Sequence, residues 1–321
     1  MRAFTSDRHG DIKDLSLRDD IAKPTPGANE LLVKVKAAAV NPADLKVLAG
    51  RDGGGFLHAS KFPLLLGFDF SGIVAEVGSA ATGRKVGDEV FGFLPYARST
   101  RGGTFAEYVA IGVGTVGTKP KSISHETAAA AATGSLTALQ ALRDKGKLTA
   151  GQTVLINGAS GGVGTYAVQI AKALGATVIA TCSGAKAEHV KSLGADRVID
   201  YKATPLSQIE ERFDMVFDVA ASSSFGVCGP LLKPSGAYVA LLPSPRLFLG
   251  MGRALFSSKT CTFIVVQPVT ADFDQVAAWI DDGKIRPSVD TAYPLAELPK
   301  ALERQRAGDI RGKIAITVDA D

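Results

Sequence analysis

The stretch LINGASGGVG, residues 155–164, limits what this chain can fold into more than any other. It closes an apolar run, TVLIN (153–157), and opens a helix-like segment, GTYAVQIAKAL. Glycines at 158, 161, 162 and 164 give the spacing G-x-x-G-x-x-G; the stricter G-x-G-x-x-G fails because Ala159 holds its first place. Between a strand and a helix, Gly161 and Gly162 let the backbone approach a pyrophosphate whose charge faces the helix N-terminus, and Gly164 permits close helix–strand packing. The competing reading is a tight turn that needs glycine for its conformation alone.

The flanking sequence decides between these readings. After the loop, strand-like and helix-like segments alternate: TVIAT (177–181), AEHVKSLG, RVID (197–200), FDMVFDVA (213–220), GAYVALL (236–242) and CTFIVV (261–266). Continuous apolar runs between helices predict a six-stranded parallel sheet covered on both faces. Before residue 124 the character is different. ELLVKVKAAAV (30–40), SGIVAEVG (71–78), GDEVFGF (87–93) and TFAEYVAI (104–111) read as short strands of an irregular antiparallel barrel. From Ser124, a candidate cap with Thr127 at the box position, SHETAAAAATGSLTALQALRDKG reads as a helix. The tail adds helices over 272–285 and 295–309 and a last strand, GKIAITV (312–318). That strand has no partner in the central series and is expected to return to the N-terminal barrel, which places the glycine loop in an inserted domain.

Bulk properties exclude several classes. A net charge of +4 without a Lys/Arg tract gives no nucleic-acid footprint. No apolar run reaches the roughly 20 residues that span a bilayer, and the N-terminus reads as neither signal nor transit peptide. A cytoplasmic protein without an integral membrane segment is expected. The three cysteines, Cys182, Cys228 and Cys261, suit a reducing compartment, and four scattered histidines match no metal spacing.

The cofactor type is read at the end of the second strand, where NAD sites place a carboxylate. Here stands ATCSGAK (180–186), with none. Ser183 and Lys186 suit a 2′-phosphate, and Tyr201 can close over the same adenosine, which favours NADPH. A helix N-cap for Ser183 and a solvated helix-end lysine for Lys186 are the bland readings. Residues 244–258, SPRLFLGMGRALFSS, suit a lining of the substrate cleft, a dimer contact or a membrane-surface helix; they read first as a lid over the substrate, then as a core helix, and third as a membrane contact.

AAAVNPADLKVLAG (37–50), LLGFDFSGIVAEVG (65–78), GDEVFGF, GTFAEYV, SLTALQAL and NGASGGVGTYAVQIAKALGA resemble the zinc-free quinone oxidoreductases of the medium-chain dehydrogenase/reductase superfamily. CSGAKAEHVKSLGADRVIDY (182–201) and DDGKIRPSVDTAYPL (281–295) are most similar to the branch with plant enone and envelope quinone reductases and the mitochondrial reticulon-interacting reductase. The resemblance implies an α/β chain: a GroES-like catalytic domain over 1–123, a Rossmann domain over 124–267 binding NADPH in the cleft between the two, and a return to the catalytic domain over 268–321. It also implies a homodimer. By position, Ser160, Gly162 and Val163 match the family's pyrophosphate loop, and Ser183 and Tyr201 its 2′-phosphate contacts. Val219, Leu241, Ile264 and Val266 match residues lining the nicotinamide, Thr137 a threonine near it, and Arg311 a C-terminal cofactor contact. Asn41 matches the active-site asparagine, and Lys46 stands where some members carry tyrosine. Residues 1–181 contain no cysteine, so the ligands of the superfamily's zinc enzymes are missing.

Hydride transfer to a conjugated carbonyl leaves negative charge on oxygen. Without a metal, Asn41, Lys46 or a ribose hydroxyl held by them is expected to meet it, with water completing protonation. The lack of an obvious acid points to quinones or α,β-unsaturated carbonyls, whose conjugation spreads the charge. Asp44 is expected only to cap the turn. The alternatives are an NADPH-binding sensor, scaffold or crystallin-like protein with little turnover, or an enoyl-thioester reductase.

Overall fold

A computed structural model describes residues 1–51, 54–59, 61–308 and 310–318. Asp309, at the end of the expected tail helix, and residues 319–321 of the expected last segment lie outside them. The chain forms two units, one of Met1–Thr133 with Gln267–Asp282 and Pro287–Asp321, the other of Gly134–Val266 with Gly283–Arg286.

In the first unit the longest strand, Glu30–Ala39, lies at the centre because nearly all of its side chains are buried. It pairs antiparallel with Asp69–Val77, with Tyr108–Gly112 and with the last strand, Lys313–Thr317. The expected return of the C-terminal strand is thus observed, in the register Ala315 to Ala39. Its other neighbour, Val289–Pro294, runs parallel to it, an addition to the otherwise antiparallel set. The TFAEYVAI segment pairs as a strand only from Tyr108; before that Ala106 makes one bridge, to Ala3. Phe68, Phe70, Phe91, Phe93, Phe105 and Phe273 fill the interior.

Helix α1 (Pro42–Ala49) leaves the central strand at Asn41, with proline in its first turn where no amide donor is needed. Helix α2 (His125–Gln140) starts where Ser124 Oγ accepts the Thr127 N–H at 3.3 Å, the predicted cap. Ala128 to Ala132 are all fully buried, and Ala129 and Ala130 pack on Ala37 and Ala39 of the central strand. The two units divide within α2, between Thr133 and Gly134.

The second unit is built on six strands: β1 (Thr153–Asn157), β2 (Thr177–Cys182), β3 (Arg197–Asp200), β4 (Phe213–Asp218), β5 (Leu232–Ala240) and β6 (Thr260–Phe263). Their order is β3-β2-β1-β4-β5-β6 and every pair is parallel. This is the doubly wound dinucleotide-binding arrangement, with the order reversing beside β1. Helix α3 (Gly164–Ala173) follows β1, and its buried face runs through Tyr166, Ala167, Val168, Ile170 and Ala171. β6 stops at Phe263, although the Ile264 N–H still reaches the Ala240 carbonyl at 3.1 Å.

Helix α4 (Pro245–Ala254) corrects the core-helix reading of 244–258. Only Leu247 and Gly250 are buried, because Gly250 lies against Phe225 and Cys261. The apolar residues beyond that contact face outward, with Leu249 68%, Leu255 83% and Phe256 93% exposed.

Candidate active site

The glycine loop is held by a buried polar chain across the strand ends. Asn157, closing β1, accepts the Thr181 hydroxyl at 2.7 Å and donates to Asp218 Oδ1 at 2.7 Å. Asp218 Oδ2 accepts the Tyr238 hydroxyl and the Ser223 N–H, both at 2.9 Å. Thr181 and Asp218 are fully buried, so each side-chain partner is required by the cost of leaving a polar group unsatisfied. Burial, reinforced by the Asp218 charge, pushes the Tyr238 phenol well above its ordinary range. It therefore stays a donor at any physiological pH.

Gly158 turns the chain at φ +90°, and its N–H and that of Ala159 both point at the Thr181 carbonyl. A Cβ on Gly164 would lie 2.2 Å from the Gly158 carbonyl oxygen, so this position must be glycine for α3 to start where it does. A Cβ on Gly161 would meet nothing closer than 3.8 Å, which leaves that side of the loop open. Among the described residues, the N–H groups of Ser160, Gly162 and Val163 find no acceptor. Three backbone donors at a helix start, beside an open face, fit a pyrophosphate. Gly134 on α2 is a further glycine with a packing reason that sequence reading passes over: a Cβ there would lie 2.7 Å from the Gly162 carbonyl.

Ser183 follows β2 in extended conformation and makes no side-chain cap bond, so the capping reading is not realised. Lys186 ends the 3-10 turn that Ser183 opens, and Tyr201, half exposed, follows β3 with its N–H on the Cys182 carbonyl. The three thus surround one shoulder of the sheet. A carboxylate also reaches it: Asp200, the last residue of β3, sits opposite Cys182 and lies 2.7 Å from where a Gly184 Cβ would stand. Sequence reading at the end of the second strand misses it, because it arrives from the neighbouring one.

Val219, Leu241 and Ile264 follow β4, β5 and β6, and their N–H groups step across the sheet to the carbonyls of Asn157, Asp218 and Ala240. Val219, Ile264 and Val266 are buried, as is Thr137 on α2. The structure therefore lines Val219, Leu241 and Ile264 along one row of strand ends. Arg311 lies in the other unit, exposed before the last strand, with its N–H on Asp290 Oδ1 at 3.1 Å.

The first unit holds a second polar cluster. Lys313 Nζ donates to Asn41 Oδ1 at 2.5 Å and to Asp69 Oδ2 at 3.0 Å. Asp69 Oδ1 accepts the Thr133 hydroxyl and, at 3.3 Å, the Thr133 N–H. Asp44 Oδ2 accepts the Asn41 N–H at 2.7 Å, the capping bond expected of it. Lys313 is 5% exposed and Asp69 fully buried, so the ion pair is sealed; separating it would leave a buried charge at a cost of about 3–5 kcal/mol. Burial pushes the Asp44 carboxyl up to about 7, against the pull of the Asn41 N–H and Lys313. Of these residues sequence reading singles out only Asn41 and Asp44. The available signal was a carboxylate in the apolar strand run GFDFSG and a lysine opening the apolar run KIAIT.

Lys46 is not part of this cluster. Two residues past Asp44, it points away around α1 and lines a crevice with Gly10, Asp11, Leu48, Arg51 and Arg306. A third arrangement has the composition of a hydrolytic triad: His125 Nδ1 lies 2.8 Å from Ser71 Oγ and Nε2 3.2 Å from Glu89. Ser71 is fully buried and its hydroxyl donates to the Val90 carbonyl, so it is not presented as a nucleophile. Among the described residues no three His, Cys, Asp or Glu side chains cluster as a metal site.

A parallel six-stranded dinucleotide sheet and a GroES-like barrel define a medium-chain dehydrogenase/reductase. Residues 27–121 match the alcohol dehydrogenase GroES-like domain and 193–316 the zinc-binding dehydrogenase domain. The human mitochondrial NAD(P)H oxidoreductase RTN4IP1 (Homo sapiens) is 34% identical over 99% of this chain and 89% of its own length. The chloroplastic quinone-oxidoreductase homolog of Spinacia oleracea is 32% identical over 98% of both. The quinone oxidoreductase of Coxiella burnetii superposes with a TM-score of 0.88 at 31% identity, covering 99% of each chain. The chain belongs to the quinone oxidoreductase family of the medium-chain dehydrogenase/reductase superfamily.

Proposed function

We propose that the chain is a zinc-independent, NADPH-dependent reductase of quinones and α,β-unsaturated carbonyl compounds. The observation that carries this reading is the Asn41 amide backed by the buried Lys313–Asp69 pair, an uncharged donor with an ammonium ion behind it. The Asn41 amide is a donor that needs no metal to meet charge on a carbonyl oxygen. In the second unit, Ser160, Gly161, Gly162 and Val163 would hold the pyrophosphate. Ser183, Lys186 and Tyr201 would hold the 2′-phosphate, and Thr137, Val219, Leu241, Ile264 and Val266 the nicotinamide, with Arg311 as a further contact.

When bound, the dihydronicotinamide supplies a hydride to the conjugated acceptor. Asn41 Nδ2 then donates to the carbonyl oxygen on which charge collects, and water supplies the proton that completes the hydroquinone or saturated carbonyl. The position of Lys46 outside the Asn41 cluster supports Asn41 as the first donor. The names of relatives, including the 2-methylene-furan-3-one reductase of Solanum lycopersicum, 32% identical over 98% of this chain, support the acceptor class. A homodimer is supported by the open edge of β6, which among the described residues pairs only with β5, beside the outward apolar residues of α4. Three buried thiols without disulfides suit a cytoplasmic setting.

The test is NADPH oxidation with 9,10-phenanthrenequinone and with an alkenal. Turnover of either supports the reading. Tight NADPH binding without oxidation above background would leave the sensor, scaffold or crystallin-like alternative. Turnover of enoyl thioesters alone would move the substrate class.

A further inference from the structure

We propose that Lys313 is a positioning residue for this reduction: it fixes the Asn41 amide with its oxygen on the lysine and its NH2 turned away from it, and its charge strengthens that NH2 as a donor. The inference rests on the proposed reductase reading.

An asparagine amide can present either end, because oxygen and NH2 are nearly equal in size and differ only in accepting or donating. An ammonium ion has donors only. With Lys313 Nζ 2.5 Å from Asn41 Oδ1, the flipped amide would set donor against donor, so one orientation survives. The lysine is itself pinned. Asp69 Oδ2 takes a second of its protons at 3.0 Å, and Asp69 is held in turn by the Thr133 hydroxyl and N–H. Asp44 fixes the amide's own backbone through the Asn41 N–H. The Asn41 side chain is thus tied at its oxygen and at its backbone to buried partners.

The NH2 end is only weakly engaged among the described residues. Asn41 Nδ2 reaches one acceptor among the described residues, the Ala39 carbonyl at 3.5 Å, the limit of a hydrogen bond. A donor so placed gains from the cation behind it, because withdrawing charge from the amide oxygen makes the N–H more positive, and charge-assisted bonds are roughly twice as strong as neutral ones. Fixed orientation also removes the cost of turning the amide as charge develops on the substrate oxygen. The alternative role for Lys313 is structural, neutralising Asp69 and fastening the last strand to the barrel.

Kinetics of a double-mutant cycle separate the two. The values of kcat and KM for phenanthrenequinone with NADPH are measured for wild type, Asn41→Ala, Lys313→Met and the double variant, with melting temperatures alongside. Lys313→Met is expected to lower kcat about 10- to 100-fold, less than the roughly 100- to 1000-fold for deleting a charge-stabilising donor outright, because the Asn41 amide remains. KM for NADPH should stay within about threefold, and in the Asn41→Ala background the same substitution should cost less than about threefold in kcat. An equal loss in both backgrounds, or no loss in the single variant, overturns the proposal. If Lys313→Met does not fold because Asp69 is stranded, Asp69→Asn/Lys313→Met removes both charges and carries the cycle with the same expectations. Wild-type protein that turns over neither a quinone nor an enone is a different result. It removes the reductase reading, and the role of Lys313 with it.

Discussion

Asp44 is fully enclosed, and burial holds its carboxyl near 7 where the unfolded chain titrates near 3.8. The native state therefore binds the extra proton between those values. The contribution of Asp44 is most favourable below the unfolded pKa and is lost as pH rises to about 7. Asp44→Asn, which keeps an acceptor for the Asn41 N–H, should raise the melting temperature at pH 8 and change it little near pH 4. The gain has an upper bound of about 4 kcal/mol; thermal melts across that pH range check the sign. At the nucleotide end, Lys186→Ala should raise KM for NADPH about tenfold and leave KM for NADH unchanged, the loss of one charge-assisted contact. Asn41 was named only through the family resemblance. Lys313 and Asp69 were not legible, since nothing in one dimension says that residues 41, 69 and 313 meet. The same holds for Asp200, which approaches the second strand's shoulder from β3.

At the scale of elements, the six strands of the second unit were read in order, but not all of their limits: β5 starts at Leu232 instead of 236, and the short helix Phe225–Cys228 was not read. β1 and β3 match their expected limits because a turn follows each directly, at Gly158 after β1 and at Tyr201 after β3. The last apolar run, CTFIVV, is strand only to Phe263, since hydrophobicity marks burial and not pairing. In the first unit Val289–Pro294 escaped notice because it carries polar residues and ends in proline. The glycine loop makes a sharp prediction. Gly164→Ala puts a methyl 2.2 Å from a backbone oxygen and should abolish NADPH binding or unfold the unit, read by NADPH fluorescence titration and melting temperature. The start of α2 makes another. Burial, aided by Lys119, holds His125 below the ordinary histidine range, so the folded state resists its protonation. Stability should therefore fall on acidification below about pH 6.5, the unperturbed value. His125→Gln should flatten that slope in melts between pH 7 and 5.

At the scale of the whole molecule, the mid-chain glycine loop was enough to imply an insertion, and the pairing of Lys313–Thr317 with Glu30–Ala39 shows how the chain comes back. What composition left open was residues 244–258, since one amphipathic helix serves a core, a lid or an interface equally well. The outward turn of Leu249, Leu255 and Phe256 beside an edge of β6 that is unpaired among the described residues supports the proposed homodimer. Leu255→Glu/Phe256→Glu should then shift the mass measured by light scattering from dimer to monomer, and a wild-type monomer at micromolar concentration would refute the dimer. The proposal that Asn41 serves an NADPH-dependent reduction of a conjugated carbonyl is tested most directly by the initial rate of nucleotide oxidation. The acceptor is 9,10-phenanthrenequinone, with NADPH and NADH measured in parallel. The expected kcat/KM is at least about tenfold higher with NADPH. A preference for NADH, or no oxidation above background with a quinone or an alkenal, would contradict it.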